Sequence, residues 1–259
     1  MKLEQIINHR DYPISDPQFI DRQKQALDKN GIIVLENFIS PRAVETIRTE
    51  GLSNEDLVYA KTERHTVYLS PTDKTFPDQH IRNQLVISSK GCLTDDQIGE
   101  SSPLKILYRS TDFKNFLCSV LREENLYPYA DPLSSVNLHF AKTGQELGWH
   151  YDNSSFAITL MIQPADQGGE FEFVKNTRSA ENNDMGYETT EKVLNGDLST
   201  EKLSLGAGTL VLFRGRNSLH RVRPNLGERT RMLAVLAYNS EPGISLSEEA
   251  RKTFYGRIN

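Results

Sequence analysis

Two residues that could bind a metal ion lie two positions apart in the segment Gly148-Trp149-His150-Tyr151-Asp152. Side chains at positions i and i+2 of a β-strand point to the same face, so His150 and Asp152 would converge on one point if they share a strand. A third donor, His220, follows a buried apolar segment and a turn. The sequence therefore predicts a metal site with two imidazole ligands and one carboxylate ligand.

The same spacing occurs in His9-Arg10-Asp11, in a polar N-terminal stretch without alternating apolar residues, and we interpret that pair as solvated surface. What distinguishes His150 and Asp152 is their context, because strand-like segments surround them and His220 supplies a third ligand. Two histidines and one carboxylate on one side of a cation form the facial triad of non-haem Fe(II) sites. Such a triad leaves coordination positions open for a co-substrate and O2.

An arginine is well placed to bind an acidic co-substrate near this site. Arg229 lies nine residues beyond His220, at the start of the next predicted strand. A guanidinium pairs bidentately with a carboxylate, so a dicarboxylate such as 2-oxoglutarate could chelate the metal at one end and contact arginine at the other. Arg231, two residues further and predicted on the same strand face, is the alternative for this role.

The elements that must position these residues change in character along the chain. Asp16-Pro17 predicts the start of a helix that Gly31 ends, and Ser40-Pro41 predicts a second helix to about Glu50. From about residue 134 the pattern changes to short strands separated by Gly and Pro turns, which is typical of a jelly roll. Further expectations are a strand-like piece only at 67–69 within the polar stretch 51–79, a strand at 81–88 and helices near 103–109 and 112–124.

These patterns predict a single domain that is mainly β with α, in which N-terminal helices pack on a double-stranded β-helix (jelly-roll) core. Its expected parts are a helical support region (1–133), the jelly-roll core (134–240) with a polar insertion (175–203) that contains one helix, and a C-terminal tail (241–259).

Composition limits the classes of function. A net charge of −5 without a Lys/Arg cluster suited to a polymer argues against nucleic-acid binding. The two cysteines, Cys92 and Cys118, lack C-x-x-C spacing and indicate free thiols in a reducing compartment. No apolar run approaches the roughly 20 residues that span a membrane, and the first residues do not resemble a signal peptide. We therefore expect a cytoplasmic protein; its oligomeric state stays open.

Four segments occur in the order expected of Fe(II)/2-oxoglutarate-dependent dioxygenases, and the chain resembles that superfamily over about residues 134–240. The resemblance implies that His150, Asp152 and His220 bind iron and that Arg229, or else Arg231, binds 2-oxoglutarate. The segments are Gly148–Asp152, Gly168-Gly169-Glu170-Phe171, Gly206–Phe213 and His220-x-Val222-x-Pro224-x-x-Gly227-x-Arg229.

Asp152–Leu160, Leu212–His220 and Thr253–Arg257 look more specifically like the hydroxylase relatives of the BesD-type free-amino-acid halogenases. Those halogenases have Gly or Ala at the position of Asp152, and the missing carboxylate leaves a site for chloride. The carboxylate in this chain therefore implies hydroxylation and argues against halogenation.

The resemblance implies a reaction in which Fe(II) binds 2-oxoglutarate and O2, and a substrate C–H bond is hydroxylated as succinate and CO2 are released. The substrate is expected to be a free amino acid or a similarly small polar metabolite. Four polar residues close to the predicted site are expected to orient the ligands or to contact the co-substrate. They are Asn137, His139, Thr159 and Ser218.

Two other functions stay open from the sequence. Desaturation or oxidative cyclisation would use the same cofactors on an amino-acid-like substrate. A non-oxidative, cupin-like metal protein or a 2-oxoglutarate sensor would use the same metal ligands without oxygen chemistry, although a simple metal site does not require the arginine at position 229.

Overall fold

The computed structural model describes residues 1–259 and contains seven α-helices and eleven strands of one antiparallel sheet. The helices are α1 (Leu3–Ile6), α2 (Pro17–Asn30), α3 (Pro41–Ser53), α4 (Pro103–Arg109), α5 (Thr111–Leu121), α6 (Tyr187–Leu194) and α7 (Glu248–Tyr255). The strands are β1 (Ile32–Leu35), β2 (Tyr59–Thr66), β3 (Leu85–Leu93), β4 (Val136–Ala141), β5 (Leu147–His150), β6 (Ala157–Gln163), β7 (Phe171–Val174), β8 (Glu201–Leu203), β9 (Leu210–Phe213), β10 (Leu219–Val222) and β11 (Arg231–Leu236).

The sheet curls so that two sets of strands face each other. The major half has the order β1-β9-β6-β11-β4-β3, and β2 pairs with Leu85–Cys92 of β3. The minor half has the order β5-β10-β7-β8. Ser88 of β3 pairs with Leu147 of β5, which joins the halves at one side. This arrangement confirms the predicted jelly-roll core.

Helices α1 to α5 cover the outer face of the major half. Val136, Leu138 and Phe140 of β4 alternate into this interface, where they pack with apolar residues of α3, α4 and α5 in a cluster of 35 buried residues. The intervening residues Asn137 and His139 therefore point into the jelly roll, as the period of two predicts. One face of the sheet is thus fixed by hydrophobic packing, and the opposite face is free to carry a site.

The first two predicted helices are confirmed by their end groups. The Asp16 carboxylate accepts a hydrogen bond from the Phe19 backbone N–H at 2.8 Å, and Gly31 ends α2 with a left-handed φ of 70° that glycine adopts without strain. The Ser40 hydroxyl accepts from the Ala43 N–H at the start of α3. That helix continues to Ser53, beyond the predicted end near Glu50.

The prediction for residues 51–93 was wrong in part. The strand in the polar stretch is β2 (Tyr59–Thr66), whereas Val67–Leu69 forms a turn. Residues Ile81–Asn83 form a 3-10 turn, and β3 starts only at Leu85. Most residues on both faces of β2 are polar, so the strand lacks the alternation of apolar and polar residues that is typical of a half-buried strand. It is stabilised instead by eight residue pairs with β3.

The polar insertion (175–203) contains the expected helix, α6, and ends in the short strand β8, which pairs with β7. The Tyr151 hydroxyl hydrogen-bonds to Thr177 at 2.9 Å and to Thr190 of α6 at 2.8 Å, so the insertion is attached to the loop that follows β5. None of the helices has the length and apolar character needed to cross a bilayer.

Candidate metal centre

His150 and His220 face each other across a pair of neighbouring strands. They are register partners in the antiparallel pairing of β5 with β10, and their ring centroids lie 4.2 Å apart. Both histidines lie on strands. On its other side, β10 pairs with β7 over four residues. The backbone of the minor half thus brings two imidazoles together that are 70 positions apart in the sequence.

Asp152 completes the cluster, although it lies two residues beyond the end of β5. Its Oδ1 atom is 3.5 Å from His220 Nε2 and 3.7 Å from His150 Nε2. Donor atoms of the three side chains all lie within 4.8 Å of one another. Two atoms bonded to one ion at about 2.0–2.2 Å can be up to about 4.2 Å apart. Both imidazole–carboxylate distances therefore permit a shared cation.

Backbone carbonyl groups orient both imidazoles for binding through Nε2. His150 Nδ1 lies 2.8 Å from the Gly148 carbonyl oxygen, and His220 Nδ1 lies 2.9 Å from the Ser218 carbonyl oxygen. A carbonyl only accepts hydrogen bonds, so each Nδ1 carries the proton and each Nε2 has a free lone pair. This hydrogen bond from the second ring nitrogen is the usual arrangement for metal-binding histidines.

The protonation states also suit a cation. Burial, reinforced by the neighbouring His220, lowers the pKa of His150 to about 3, so this imidazole is neutral at physiological pH. Burial by itself would raise the pKa of Asp152, but His220 and His150 outweigh it and leave the pKa below its usual value. A neutral imidazole and an ionised carboxylate are the forms that bind metals.

An unsatisfied oxygen supports the same conclusion. Asp152 Oδ2 is buried and has no hydrogen-bond partner. A buried carboxylate oxygen without a partner is costly unless an ion or a donor compensates it. The donor set and this orphaned atom fit a divalent metal such as Fe(II) bound by His150, Asp152 and His220.

The two arginines that the sequence offers for binding a carboxylate lie in different surroundings. Arg229 is exposed in the loop before β11, where its backbone N–H binds Asp166 Oδ1 at 3.2 Å. Arg229 lies before the strand begins, so the strand alternation that places Arg231 on the inner face does not extend to Arg229. Arg231 is the first residue of β11, is 6 % exposed, and its Nε atom has no hydrogen-bond partner. Burial lowers the pKa of Arg231 to about 10, which leaves it charged at neutral pH.

His139 points into the jelly roll, but its hydrogen-bond contacts are with Lys90 and not with the three clustered donors. Its two ring nitrogens each lie 3.4 Å from Lys90 Nζ. Burial, with the charges of Lys90 and Arg231, lowers the pKa of His139 well below its usual value. His139 is therefore a neutral group between two cations on the inner face of the major half.

The other three predicted positions differ in their relation to the cluster. Ser218 orients His220 through its carbonyl oxygen. Asn137 instead fixes the C-terminal helix, because its Oδ1 accepts a hydrogen bond from the Tyr255 hydroxyl at 3.0 Å. Thr159 of β6 alternates with the core residues Ile158 and Leu160, so it lies on the inner face, but it does not contact the three donors.

Several residues near the cluster were not predicted. The Gly148 N–H donates to Ser88 Oγ at 3.0 Å, Ser88 Oγ lies 2.6 Å from His65 Nε2, and the His65 ring packs edge-on against His150. Arg178 of the insertion stacks on Tyr151, with its guanidinium carbon 4.1 Å from the ring centroid. Pairing with β3 places His65 on the inner face, but the polar sequence of β2 gave no signal for this strand, and Arg178 had none either.

Comparison with known proteins gives the family. The model of the family described as Halogenase D matches residues 15–255. The chain belongs to the Halogenase D family. No curated protein matches the sequence.

Solved structures with the same fold carry names from one superfamily. An oxidoreductase of the 2OG-Fe(II) oxygenase family from Burkholderia pseudomallei has a TM-score of 0.55 at 12 % identity, covering 87 % of this chain and 93 % of that one. The non-haem α-ketoglutarate-dependent carbocyclase SnoK has 0.58 at 11 %, covering 89 % of each chain. A Pseudomonas putida prolyl-4-hydroxylase has 0.51 at 14 %, covering 83 % and 96 %. The chain therefore has the fold of the 2OG-Fe(II) oxygenases.

Proposed function

We propose that this protein is an Fe(II)/2-oxoglutarate-dependent oxygenase that hydroxylates an unactivated C–H bond of a free amino acid or a similarly small polar metabolite. The observation that carries the proposal is the His150–Asp152–His220 cluster in a jelly roll whose inner face also holds the unpaired guanidinium of Arg231. The names of the similar structures, which include hydroxylases and other α-ketoglutarate-dependent enzymes, support the same cofactors.

The protein's own residues would hold and orient the reactants. His150, Asp152 and His220 would bind the metal through two Nε2 atoms and one carboxylate. Arg231 would pair with the distal carboxylate of 2-oxoglutarate, since a planar guanidinium offers two parallel N–H donors. Iron and 2-oxoglutarate would supply the oxidising chemistry with O2, and succinate and CO2 would be released.

The apolar surroundings of His220 would limit access of water. Phe213 packs edge-on to the His220 ring at 4.9 Å, and Phe171 lies 5.7 Å from it. The side of the cluster next to His150, where polar residues line a cavity, is the more polar one. Exclusion of water from one side strengthens the electrostatic interactions of bound ligands and suppresses side reactions.

Asp152 supports hydroxylation, although the family model that matches the chain carries the description of a halogenase. The halogenases that this chain resembles lack a carboxylate at this position, whereas Asp152 directs Oδ1 between both histidines. If all three residues bind the metal, the Asp152 carboxylate fills the position that is left for chloride in those halogenases. The Halogenase D match makes chlorination the alternative outcome to measure.

The proposal is tested by substrate-stimulated succinate release from the Fe(II)-loaded protein, with 2-oxoglutarate, O2, chloride and a panel of amino acids and their derivatives. The product mass then separates added oxygen from added chlorine or from loss of two hydrogens. We expect Asp152→Ala to abolish coupled turnover. Asp11→Ala, which alters the other His-x-Asp segment outside the cluster, is the matched control and should retain turnover. Hydroxylation that persists in Asp152→Ala would contradict the assignment.

A further inference from the structure

A small cavity opens beside His150 between β2, β3 and α7. Its volume is about 120 Å³. Pockets for drug-sized ligands have about 300–1,000 Å³, so this cavity suits a much smaller molecule. Polar side chains from alternate positions of the two paired strands form its wall: Lys61, Glu63, His65, Ser88 and Lys90.

Lys90 carries a charge that no residue of the protein neutralises directly. Its ammonium forms no ion pair, and its nearest polar neighbours are the two ring nitrogens of the neutral His139. Lys61, its register partner on β2, differs in that it pairs with Glu63 at 2.7 Å. An ammonium removed from water without a counter-ion is costly, and burial lowers the pKa of Lys90 accordingly. A bound carboxylate would remove that cost.

The cavity is also lined by a carboxylate, that of Glu63. Glu63 is the register partner of Ser88 and Lys61 that of Lys90, so Glu63 and Lys90 are diagonal neighbours on one face of the hairpin. Diagonal positions of this kind lie about 7–8 Å apart. Both long side chains line the same cavity, so an amino acid bound there can direct its carboxylate to Lys90 and its ammonium to Glu63.

We propose that this cavity is the substrate site, that Lys90 binds the carboxylate of an amino-acid substrate, and that Glu63 faces its ammonium group. The inference rests on the proposed function and names the residues that select the substrate class. Arg231, the candidate partner of 2-oxoglutarate, lines a separate cavity with Met161 and Gly169. Lys90 therefore remains available for the carboxylate of the substrate.

The test measures binding rather than turnover. The protein is loaded with Zn(II), a redox-inactive substitute for iron, and with 2-oxoglutarate; calorimetry then compares the proteinogenic L-amino acids with their carboxamides, which keep the ammonium but lose the carboxylate charge. At least one amino acid should bind, and its carboxamide should bind roughly 10- to 100-fold more weakly. Lys90→Met should weaken binding of the amino acid by a similar factor and erase most of the preference over the carboxamide.

Lys142→Met makes the same chemical change at an exposed lysine that pairs with Glu55, and it should leave the affinity unchanged. The inference is overturned if no amino acid binds, if amidation has no effect, or if Lys90→Met weakens only the binding of 2-oxoglutarate. The carboxamide comparison uses the unaltered protein, so it decides the question even if Lys90→Met does not fold.

Failure of the proposed function would look different. Amino-acid binding without any iron-dependent succinate formation would contradict the oxygenase and leave the cavity assignment standing. Succinate release stimulated only by molecules that lack a carboxylate would contradict the cavity assignment and leave the oxygenase standing.

Discussion

Asp152 and Gly215 are in such close contact that no side chain other than hydrogen fits at position 215. A Cβ atom built on Gly215 would lie 1.8 Å from Asp152 Oδ2 and 3.1 Å from His220 Cε1. The backbone reinforces this contact, because the Asp152 N–H donates to the Gly215 carbonyl oxygen at 3.2 Å. The turn before β10 thus sets the position of the carboxylate that completes the metal cluster.

Gly215→Ala should therefore displace the Asp152 carboxylate and weaken metal binding. Changes to groups that orient metal ligands typically cost about 10- to 100-fold in affinity, and we expect a loss in that range. Calorimetric titration with Zn(II) measures it. Gly206→Ala is the matched control, because the nearest atom to a Cβ there is 4.0 Å away. Equal metal affinities for both variants would show that the contact does not position the ligand.

Arg231→Met and Arg229→Met should separate the two arginines that the sequence left as alternatives. Hydrogen bonds to charged groups contribute roughly 1.5–3 kcal/mol, so loss of the buried guanidinium should weaken 2-oxoglutarate binding by about 10- to 100-fold. Arg229 is exposed, and its substitution should change that affinity less than about 2-fold. Titration of the Zn(II)-loaded variants with 2-oxoglutarate is the measurement. A larger loss in Arg229→Met would reverse the assignment.

Glu172 should make the stability of the minor half depend on pH. It is 3 % exposed, and its carboxylate accepts hydrogen bonds from Arg221 Nε at 2.8 Å and from the Thr200 hydroxyl. Burial opposes ionisation, but Thr200 and Arg221 outweigh it, and the pKa of Glu172 lies below its usual value. Because the pKa is lower in the folded than in the unfolded state, the ionised group stabilises the fold above about pH 4.3, the value for an unfolded chain.

That contribution should disappear as the pH falls through the folded-state pKa. Urea unfolding of the wild-type protein and of Glu172→Gln at a series of pH values checks it. The wild type should have the larger free energy of unfolding at neutral pH, and the difference should shrink below about pH 4. A difference that stays constant down to strongly acidic pH would mean that the charge of Glu172 does not contribute.

The sequence allowed the jelly roll and the three clustered donors to be predicted because both depend on local patterns. Period-two alternation identified β4, and the short spacing of His150 and Asp152 needed only one strand and its end. The sequence could not separate Arg231 from Arg229, since their burial depends on where β11 begins. The strand begins two residues after Arg229, which leaves that side chain exposed in the preceding loop.

The inner wall formed by β2 and β3 could not be predicted for a different reason. Its residues line a cavity rather than a hydrophobic core, so polar side chains occupy the positions that would identify a strand by apolar alternation. Lys90 and His65 belong to this wall. Their proximity to His150 arises only when β3 pairs with both β2 and β5, a long-range contact that no local pattern encodes.

The proposal that Asp152 makes this member of the Halogenase D family a hydroxylase is tested most directly by the fate of oxygen. The Fe(II)-loaded protein is supplied with 2-oxoglutarate, chloride, isotopically labelled O2 and the amino acid that most stimulates succinate release, and the product mass is measured. The account predicts a product that has gained one labelled oxygen atom and contains no chlorine. A chlorinated product from the wild-type protein would contradict it.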